Sequence, residues 1–180
     1  MFLLCRYGFN PGSQLLVAGI ANATIVGRTA VCTTMAPAAA GLTALFLTKA
    51  QNNTWDLLAV CNGILAGLVA VTAGCSVIEP WAAILVGSLA AFVFNYGEKL
   101  LLMLKIDDPL SAAPMHMFCG VFGTLYVGLM ASEKYVLQVY GEREADNGKG
   151  LFYGGNGKLL GCQVTGAYIC VYCSGGMVLL

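Results

Sequence analysis

Charged side chains are scarce in this 180-residue sequence, because lysine, arginine, aspartate and glutamate together make up only 10% of its positions. Soluble domains typically devote about 25% of their residues to these four types. A soluble domain of this size could not hide so large an apolar fraction from water. The low charge therefore excludes an ordinary soluble globular domain.

An excess of charge of either sign is also missing, since nine basic residues balance nine acidic ones. Domains that bind nucleic acid usually carry a clear excess of lysine and arginine. A polybasic lipid anchor needs a similar cluster. The neutral balance gives no reason to expect either, so we expect no nucleic-acid partner.

Histidine occurs only once, as His116, and metal-ligand clusters are correspondingly sparse. Cys170 and Cys173 have the spacing of a redox or zinc pair, but neither a second pair nor a histidine lies near them. Most of the eight cysteines lie inside apolar runs, where a thiol behaves as a small hydrophobic side chain. This favours buried free thiols over a disulfide framework, and we expect no metal, no cofactor and no enzymatic activity.

The sequence is rich instead in long uncharged runs, with 58% hydrophobic residues and a mean hydropathy of +0.78. A membrane-spanning helix needs about 20 predominantly apolar residues. The runs predict an all-α, polytopic transmembrane helix bundle with about five spanning helices after an N-terminal partial helix. The spans are expected near residues 20–48, 57–78, 80–104, 109–132 and 157–179.

Helix-breaking residues near the N-terminus and a polar segment near the C-terminus define the domain organisation. Pro11 and Gly12 break any helix that enters from residues 1–7, so the chain is interpreted as beginning in mid-helix, as an N-terminally truncated single membrane domain over residues 1–180. Residues 133–158 are polar and predict a solvated loop. Lysines and arginines fall on both predicted sides, so the positive-inside count does not decide orientation. Arg28 lies within a predicted span and needs a partner or must reach the interface.

His116 enters one of these spans. Asp107, Asp108 and Pro109 are typical of a helix start, which places His116 eight residues further on, at a depth of about 12 Å. Intramembrane ionisable residues are functional candidates by default; the alternative is a hydrogen-bonded histidine packed between helices. Its helical neighbours are small, so we expect it on an inner concave face with the following residues: Ala113, Gly120 and Gly123.

Several motifs, in this order along the chain, resemble plant-type members of the ammonium transporter, methylammonium permease and Rhesus family. The resemblance covers nearly the whole chain. The motifs are Tyr7-Gly8-Phe9-Asn10-Pro11-Gly12-Ser13, Gly27-Arg28-Thr29-Ala30-Val31, Cys61-Asn62-Gly63, Gly67-Leu68-Val69-Ala70-Val71-Thr72-Ala73-Gly74-Cys75, Glu79-Pro80-Trp81-Ala82-Ala83-Ile84, Asp107-Asp108-Pro109-Leu110, His116 and Gly157-Lys158-Leu159-Leu160-Gly161.

The resemblance implies an eleven-helix transporter built from two inverted five-helix repeats, assembled as a homotrimer in the plasma membrane. This chain resembles the second repeat with the final helix. His116 matches a pore histidine, Phe9 a phenyl group at the outer gate, and Ser13 a hydroxyl at the external ammonium site. The implied partners are ammonium or ammonia, the lipid bilayer and a homotrimer with the complete protein.

These residue types suit that chemistry. Aromatic faces and a hydroxyl oxygen can hold ammonium by cation–π attraction and hydrogen bonding. A neutral imidazole donates at one nitrogen and accepts at the other, so it can relay protons. The chain departs from the family pattern at Met117 and Phe118, where small residues are usual, and at Ser111, where an acidic residue is common.

Two classes of function remain open at this point. One is ammonium transport, by a longer protein of which this is a piece or by this chain with a complementary half. The other is a non-conducting truncated membrane protein or an interaction subunit. A pore between repeats needs both walls, so we expect that this chain alone does not conduct.

Overall fold

The structure is a computed structural model that describes residues 2–15, 17–142 and 147–178. Within these ranges every regular element is helical and no strand is present, which confirms the all-α prediction. Two short 3-10 turns join the helices, at Gly12–Gln14 and Leu151–Tyr153. The helices are α1 (Phe2–Phe9), α2 (Ile20–Asn52), α3 (Leu57–Thr72), α4 (Pro80–Met103), α5 (Ala113–Met130), α6 (Glu133–Tyr140) and α7 (Lys158–Val178).

The five predicted spans fall on α2, α3, α4, α5 and α7. Among the described residues, α2, α4 and α5 are long and apolar enough to cross a membrane, with 33, 24 and 18 residues. Helix α3 is apolar but has only 16 residues, and α7 has 21. The last predicted residue of α7, Leu179, lies outside the described residues. The chain is therefore a transmembrane helix bundle, as its composition predicts.

Small residues let α2, α3 and α4 approach closely. A Cβ atom added at Gly63 or Gly67 of α3 would lie only 2.9 Å from a backbone carbonyl oxygen of α2. The spacing of Gly63 and Gly67 is a small-xxx-small motif, a pattern that predicts such tight helix packing, and the structure confirms it. The second motif behaves differently, because nothing lies within 4 Å of a Cβ placed at Gly157 or Gly161. These two glycines make no close helix contact within the described residues of this chain, and Gly157 lies in a turn with φ +77°.

Helix α5 begins later than the sequence predicts. Pro109 lies in a turn before the helix, and Ser111 has a φ of +50°. The Asp108 carboxylate still caps the helix, because it accepts hydrogen bonds from the backbone N–H groups of Ala112 and Ala113 at 3.0 and 2.8 Å. A carboxylate can satisfy these free donors from outside the first turn. His116 therefore lies four residues from the N-cap Ala112 rather than eight residues from Asp108.

The segment expected as a solvated loop, residues 133–158, contains helix α6 and folds back on the bundle. Val136 of α6 is buried against Val77 and Val127. The Gly150 N–H donates to the Ala131 carbonyl at 2.9 Å, and Lys149 forms an ion pair with Glu133 at 2.6 Å. Residues 143–146 of this segment lie outside the described residues.

All eight cysteines are free thiols. Three are buried, at Cys32, Cys75 and Cys119, whereas the other five lie on the surface of the bundle. The expectation that most are buried therefore fails within this chain, because apolar runs also supply the outward faces of helices in a membrane protein.

Candidate functional site

His116 and Phe9 line one open cavity of about 400 Å³. The cavity lies between α1, α3 and the first turns of α5, and His116 is exposed in it. Its walls are mostly apolar. They are formed by Cys5, Arg6, Phe9, Leu65, Leu68, Val69, Met115 and His116.

A π-helical stretch places His116 on this cavity. Residues Ala113–Phe118 form a π-helix at the start of α5, with Pro114 near its beginning. A π-helix has more residues per turn than an α-helix, and such turns occur often at functional sites. Met115 is buried in the core, and the next residue, His116, faces outward.

The small residues that follow His116 differ in their surroundings. A Cβ at Gly120 would meet nothing within 4 Å, so this residue borders open space. Gly123 does not, because a Cβ there would lie 2.2 Å from the Ala70 carbonyl oxygen. The expected placement of Gly123 beside His116 is therefore wrong: it is the contact point between α5 and α3.

Polar contacts hold α1 against the bundle. The buried Asn10 side chain donates to the Thr33 hydroxyl at 3.1 Å, and Tyr7 and Thr34 share a hydroxyl–hydroxyl hydrogen bond. Phe9, at the end of α1, remains 69% exposed. Its aromatic ring is therefore available on the open side of the bundle.

Ser13 is not part of the cavity lining. It lies in the 3-10 turn after α1, and its hydroxyl donates to the Phe9 carbonyl at 2.5 Å. Because that bond uses the hydroxyl proton, the Ser13 oxygen can still accept a hydrogen bond from a cation. The structure thus brings His116 and Phe9 to one cavity and places Ser13 one turn away from Phe9.

Arg6 is the site residue that sequence reasoning missed. It lines the same cavity, and its Nη1 donates to the Thr72 hydroxyl at 3.3 Å. The available signal was its position three residues before Phe9, which puts both on one side of a helix. Its guanidinium adds a positive charge to an otherwise apolar wall.

Arg28 finds its partners within this chain. Its Nε and Nη2 donate to the Ser76 carbonyl at 3.0 and 2.7 Å, and Nη1 donates to the Gln138 side chain at 2.8 Å. The Tyr135 hydroxyl in turn donates to the Glu79 carboxylate at 2.9 Å. Burial, together with this bond to Glu79, raises the pKa of Tyr135, so its hydroxyl remains a donor. The network ties α6 to the α3–α4 turn.

Comparison with known proteins gives one consistent family. The family model for the Ammonium Transporter Family matches residues 2–180. Ammonium transporter 1 member 1 of Arabidopsis thaliana is 49% identical over 165 residues, which is 88% of this chain and 33% of that protein. Its namesake from Oryza sativa subsp. japonica is 48% identical over 166 residues, with the same two coverages. The chain thus spans about a third of the length of these curated relatives.

Solved structures agree with the fold. A Sensor Amt Protein superposes with a TM-score of 0.80 at 31% identity, over 97% of this chain and 39% of that chain. Candida albicans Mep2 superposes with a TM-score of 0.80 at 24% identity, over 93% of this chain and 35% of that chain. The helical arrangement described above is therefore shared with longer proteins of known structure.

Proposed function

The chain belongs to the Ammonium Transporter Family, and from this premise we propose that the face bearing His116 and Phe9 is one wall of a pathway for ammonium across a membrane. The observation that carries the proposal is that these two residues, far apart in sequence, line one cavity. The names of its relatives supply the substrate class, ammonium.

Recruitment is assigned to Phe9 and Ser13. The exposed Phe9 ring can attract an ammonium ion by cation–π interaction, worth about 0.5–1 kcal/mol at an exposed site. The Ser13 oxygen can accept a hydrogen bond from the same ion, because its own proton is donated to the Phe9 carbonyl. Together they form a weak site at the entrance to the cavity.

Passage is assigned to the apolar wall and His116. Leu65, Leu68 and Val69 offer an ion no hydrogen bonds, so a dehydrated cation is disfavoured there relative to neutral ammonia. The His116 imidazole can accept a proton at one nitrogen while it donates at the other. This residue therefore provides a route for a proton that ammonium releases.

Arg6 strengthens the preference for the neutral species. Its positive charge on the same wall raises the electrostatic free energy of any cation that enters the cavity. This charge therefore favours release of a proton from the recruited ammonium ion before ammonia passes His116.

A second wall is required for conduction. The cavity is open in this chain, and His116 is exposed. Sites near the bilayer midplane in transporters generally lie between two repeats, and polar groups left facing lipid are costly. We therefore propose that additional polypeptide covers this face, in a homotrimeric assembly in the plasma membrane, and that the chain alone does not conduct.

Growth on low ammonium tests this proposal, in yeast that lack their own ammonium permeases. The chain is expressed alone or together with the N-terminal half of the Arabidopsis thaliana relative. We expect growth only from the combination, lost with His116→Ala and retained with Met117→Ala, a change at the neighbouring exposed residue.

Two results would contradict it. Growth from the chain alone, lost with His116→Ala, would show that no second wall is needed. Failure of the combination, although both parts reach the membrane, would favour the non-conducting alternative. Fluorescence microscopy of tagged chains checks that they reach the plasma membrane. Crosslinking of detergent extracts checks that a trimer forms.

A further inference from the structure

We propose that a second, polar cavity between α2, α3 and α4 binds a small monovalent cation. The cavity has a volume of about 130 Å³, and it lies where α2 ends and α3 begins. The proposal goes beyond the ammonium pathway and does not depend on it. The polar lining residues are Thr48, Asp56, Asn62, Asn95 and Glu98.

This cavity is separate from the one that contains His116. Its lining comes from the C-terminal part of α2, the first turns of α3 and the middle and end of α4, and it shares no residue with the His116 cavity. Ala44, Ala91 and Phe94 form its apolar floor. A ligand there would therefore contact the packed core of the bundle, not the open face.

Two carboxylates border the cavity, and neither forms an ion pair within the described residues. Asp56 accepts a hydrogen bond from the Leu58 N–H at 2.8 Å, and Glu98 accepts one from the Ser111 hydroxyl at 2.5 Å. These bonds leave most of their lone pairs free, because an ionised carboxylate offers about four acceptor positions. The negative charge at the cavity is therefore only partly compensated.

The nearby lysines are engaged elsewhere. Lys49 donates to the Asn53 carbonyl at 2.7 Å and lies 5.2 Å from the centre of the Trp55 ring. Lys99 donates to the Gln51 side chain at 2.7 Å. Neither amine occupies the cavity, so a cation from solution has no resident competitor.

Thr48 gives independent support, because it is buried and lacks a partner. It is only 6% exposed, it lines the cavity, and its hydroxyl makes no hydrogen bond within the described part of the chain. No fully buried polar side-chain atom there lacks a partner, so the hydroxyl oxygen of Thr48, which lines the cavity, retains some accessible surface. Its lone pairs are therefore available to an ion in the cavity.

The size and the donor set favour a monovalent ion. A volume of about 130 Å³ accommodates a small ion together with a few water molecules. In the described ranges no group of three or more His, Cys, Asp or Glu side chains could hold a metal ion, whereas divalent cations usually recruit more carboxylates. Ammonium and potassium share a single positive charge and a preference for oxygen ligands, so the cavity suits either ion.

Trp55 reports on the site, because it precedes Asp56. The full chain with Trp81→Phe, purified in detergent, has Trp55 as its sole tryptophan. Its fluorescence is titrated with ammonium chloride, potassium chloride and choline chloride at constant ionic strength. We expect a saturable change with ammonium, potassium or both, and none with choline; the relative affinities identify the source of the ion.

Variants locate the response. Glu98→Gln is expected to abolish it, and Thr48→Val, which keeps the side-chain shape, to weaken the affinity by about tenfold through loss of one oxygen ligand. Glu79→Gln, at the other end of the bundle, is the matched control and should respond as the parent does. Circular dichroism confirms that each variant is helical.

Three results would overturn the proposal. One is a fluorescence change with choline as large as that with ammonium or potassium, which would show a general salt effect and no specific site. Another is a fluorescence response that magnesium saturates at lower concentrations than ammonium or potassium, which would show that the site binds divalent cations. The third is an unchanged response in a folded Thr48→Val or Glu98→Gln protein, which would place the reporting event elsewhere.

Discussion

The guanidinium of Arg28 lies 3.7 Å from the ring centre of Tyr135, so a side chain of the spanning helix α2 lies over an aromatic ring of the short helix α6. Arg28 is only 8% exposed. Its remaining donors bind the Ser76 carbonyl and the Gln138 side chain. This contact makes α6 part of the folded bundle, although α6 lies in a polar segment.

Replacement of Arg28 should destabilise this end of the molecule. In Arg28→Lys the charge remains, but one ammonium group cannot reproduce the planar fork that contacts both Ser76 and Gln138. We expect a loss of about 1–3 kcal/mol in unfolding free energy, measured by thermal or denaturant unfolding in detergent. Arg6→Lys is the control, because Arg6 makes a single exposed hydrogen bond; an equal loss there would contradict the role of the Arg28 network.

Stability at high pH should depend on Tyr135. Burial first, and then the bond to Glu79, raises its pKa in the folded state. A raised pKa means that the neutral phenol stabilises the fold fully below its unfolded pKa of about 10, and that this contribution is lost as pH rises through the higher folded value.

We therefore expect the unfolding free energy of the parent protein to fall above pH 10. Tyr135→Phe should cost about 1 kcal/mol at neutral pH and show a smaller fall. Tyr153 also has a raised pKa, caused first by burial, so Tyr153→Phe is measured in parallel. Identical pH curves for the parent and Tyr135→Phe would contradict the assignment.

Close helix packing makes Gly87 sensitive to a single methyl group. A Cβ there would lie 2.0 Å from the Ala36 carbonyl oxygen, so α2 and α4 would have to separate. We expect Gly87→Ala to cost about 1–3 kcal/mol through overpacking. Gly161→Ala is the matched control, since nothing lies within 4 Å of its added Cβ, and it should stabilise α7 by up to about 1 kcal/mol. Denaturant unfolding measures the free energy of unfolding of both variants. An unchanged value for Gly87→Ala would refute the close contact between α2 and α4.

Arg6 should limit cation entry into the His116 cavity. In the combined protein described above, Arg6→Gln removes a positive charge from the wall, and we expect ammonium-induced current to rise by about threefold to tenfold. Arg6→Lys keeps the charge and should leave the current close to that of the parent. Electrophysiology in oocytes measures this. A lower current in Arg6→Gln would show instead that its bond to Thr72 positions α1.

Topology follows from the order of the spans. If α2, α3, α4 and α5 each cross the membrane, Asn52 and Lys134 lie on opposite sides. Single cysteines at these two exposed positions, in a background without the native surface cysteines, should react with a membrane-impermeant reagent from opposite faces. We expect Lys134 to lie on the outer side. Reaction of both from one face would refute the arrangement.

The sequence by itself determined the class of the protein and the position of its helices. Long uncharged runs favour membrane helices, so the helices α2, α3, α4, α5 and α7 were predictable from composition and spacing, and α2, α4 and α5 are long and apolar enough to span. The break after Phe9 was predictable too, because Pro11 and Gly12 impose it locally. The contact of Gly63 and Gly67 with α2 followed from a local motif.

Only the tertiary structure decided which residues meet. The partners of Arg28 lie 48 and 110 residues away. Arg6 and His116 line one cavity only because α1 docks beside α3 and α5. Gly123 approaches Ala70 of α3 and does not share the open face with His116. The polar cavity at Thr48 likewise exists only because three helix ends converge. Such arrangements depend on long-range packing, which local periodicity does not encode.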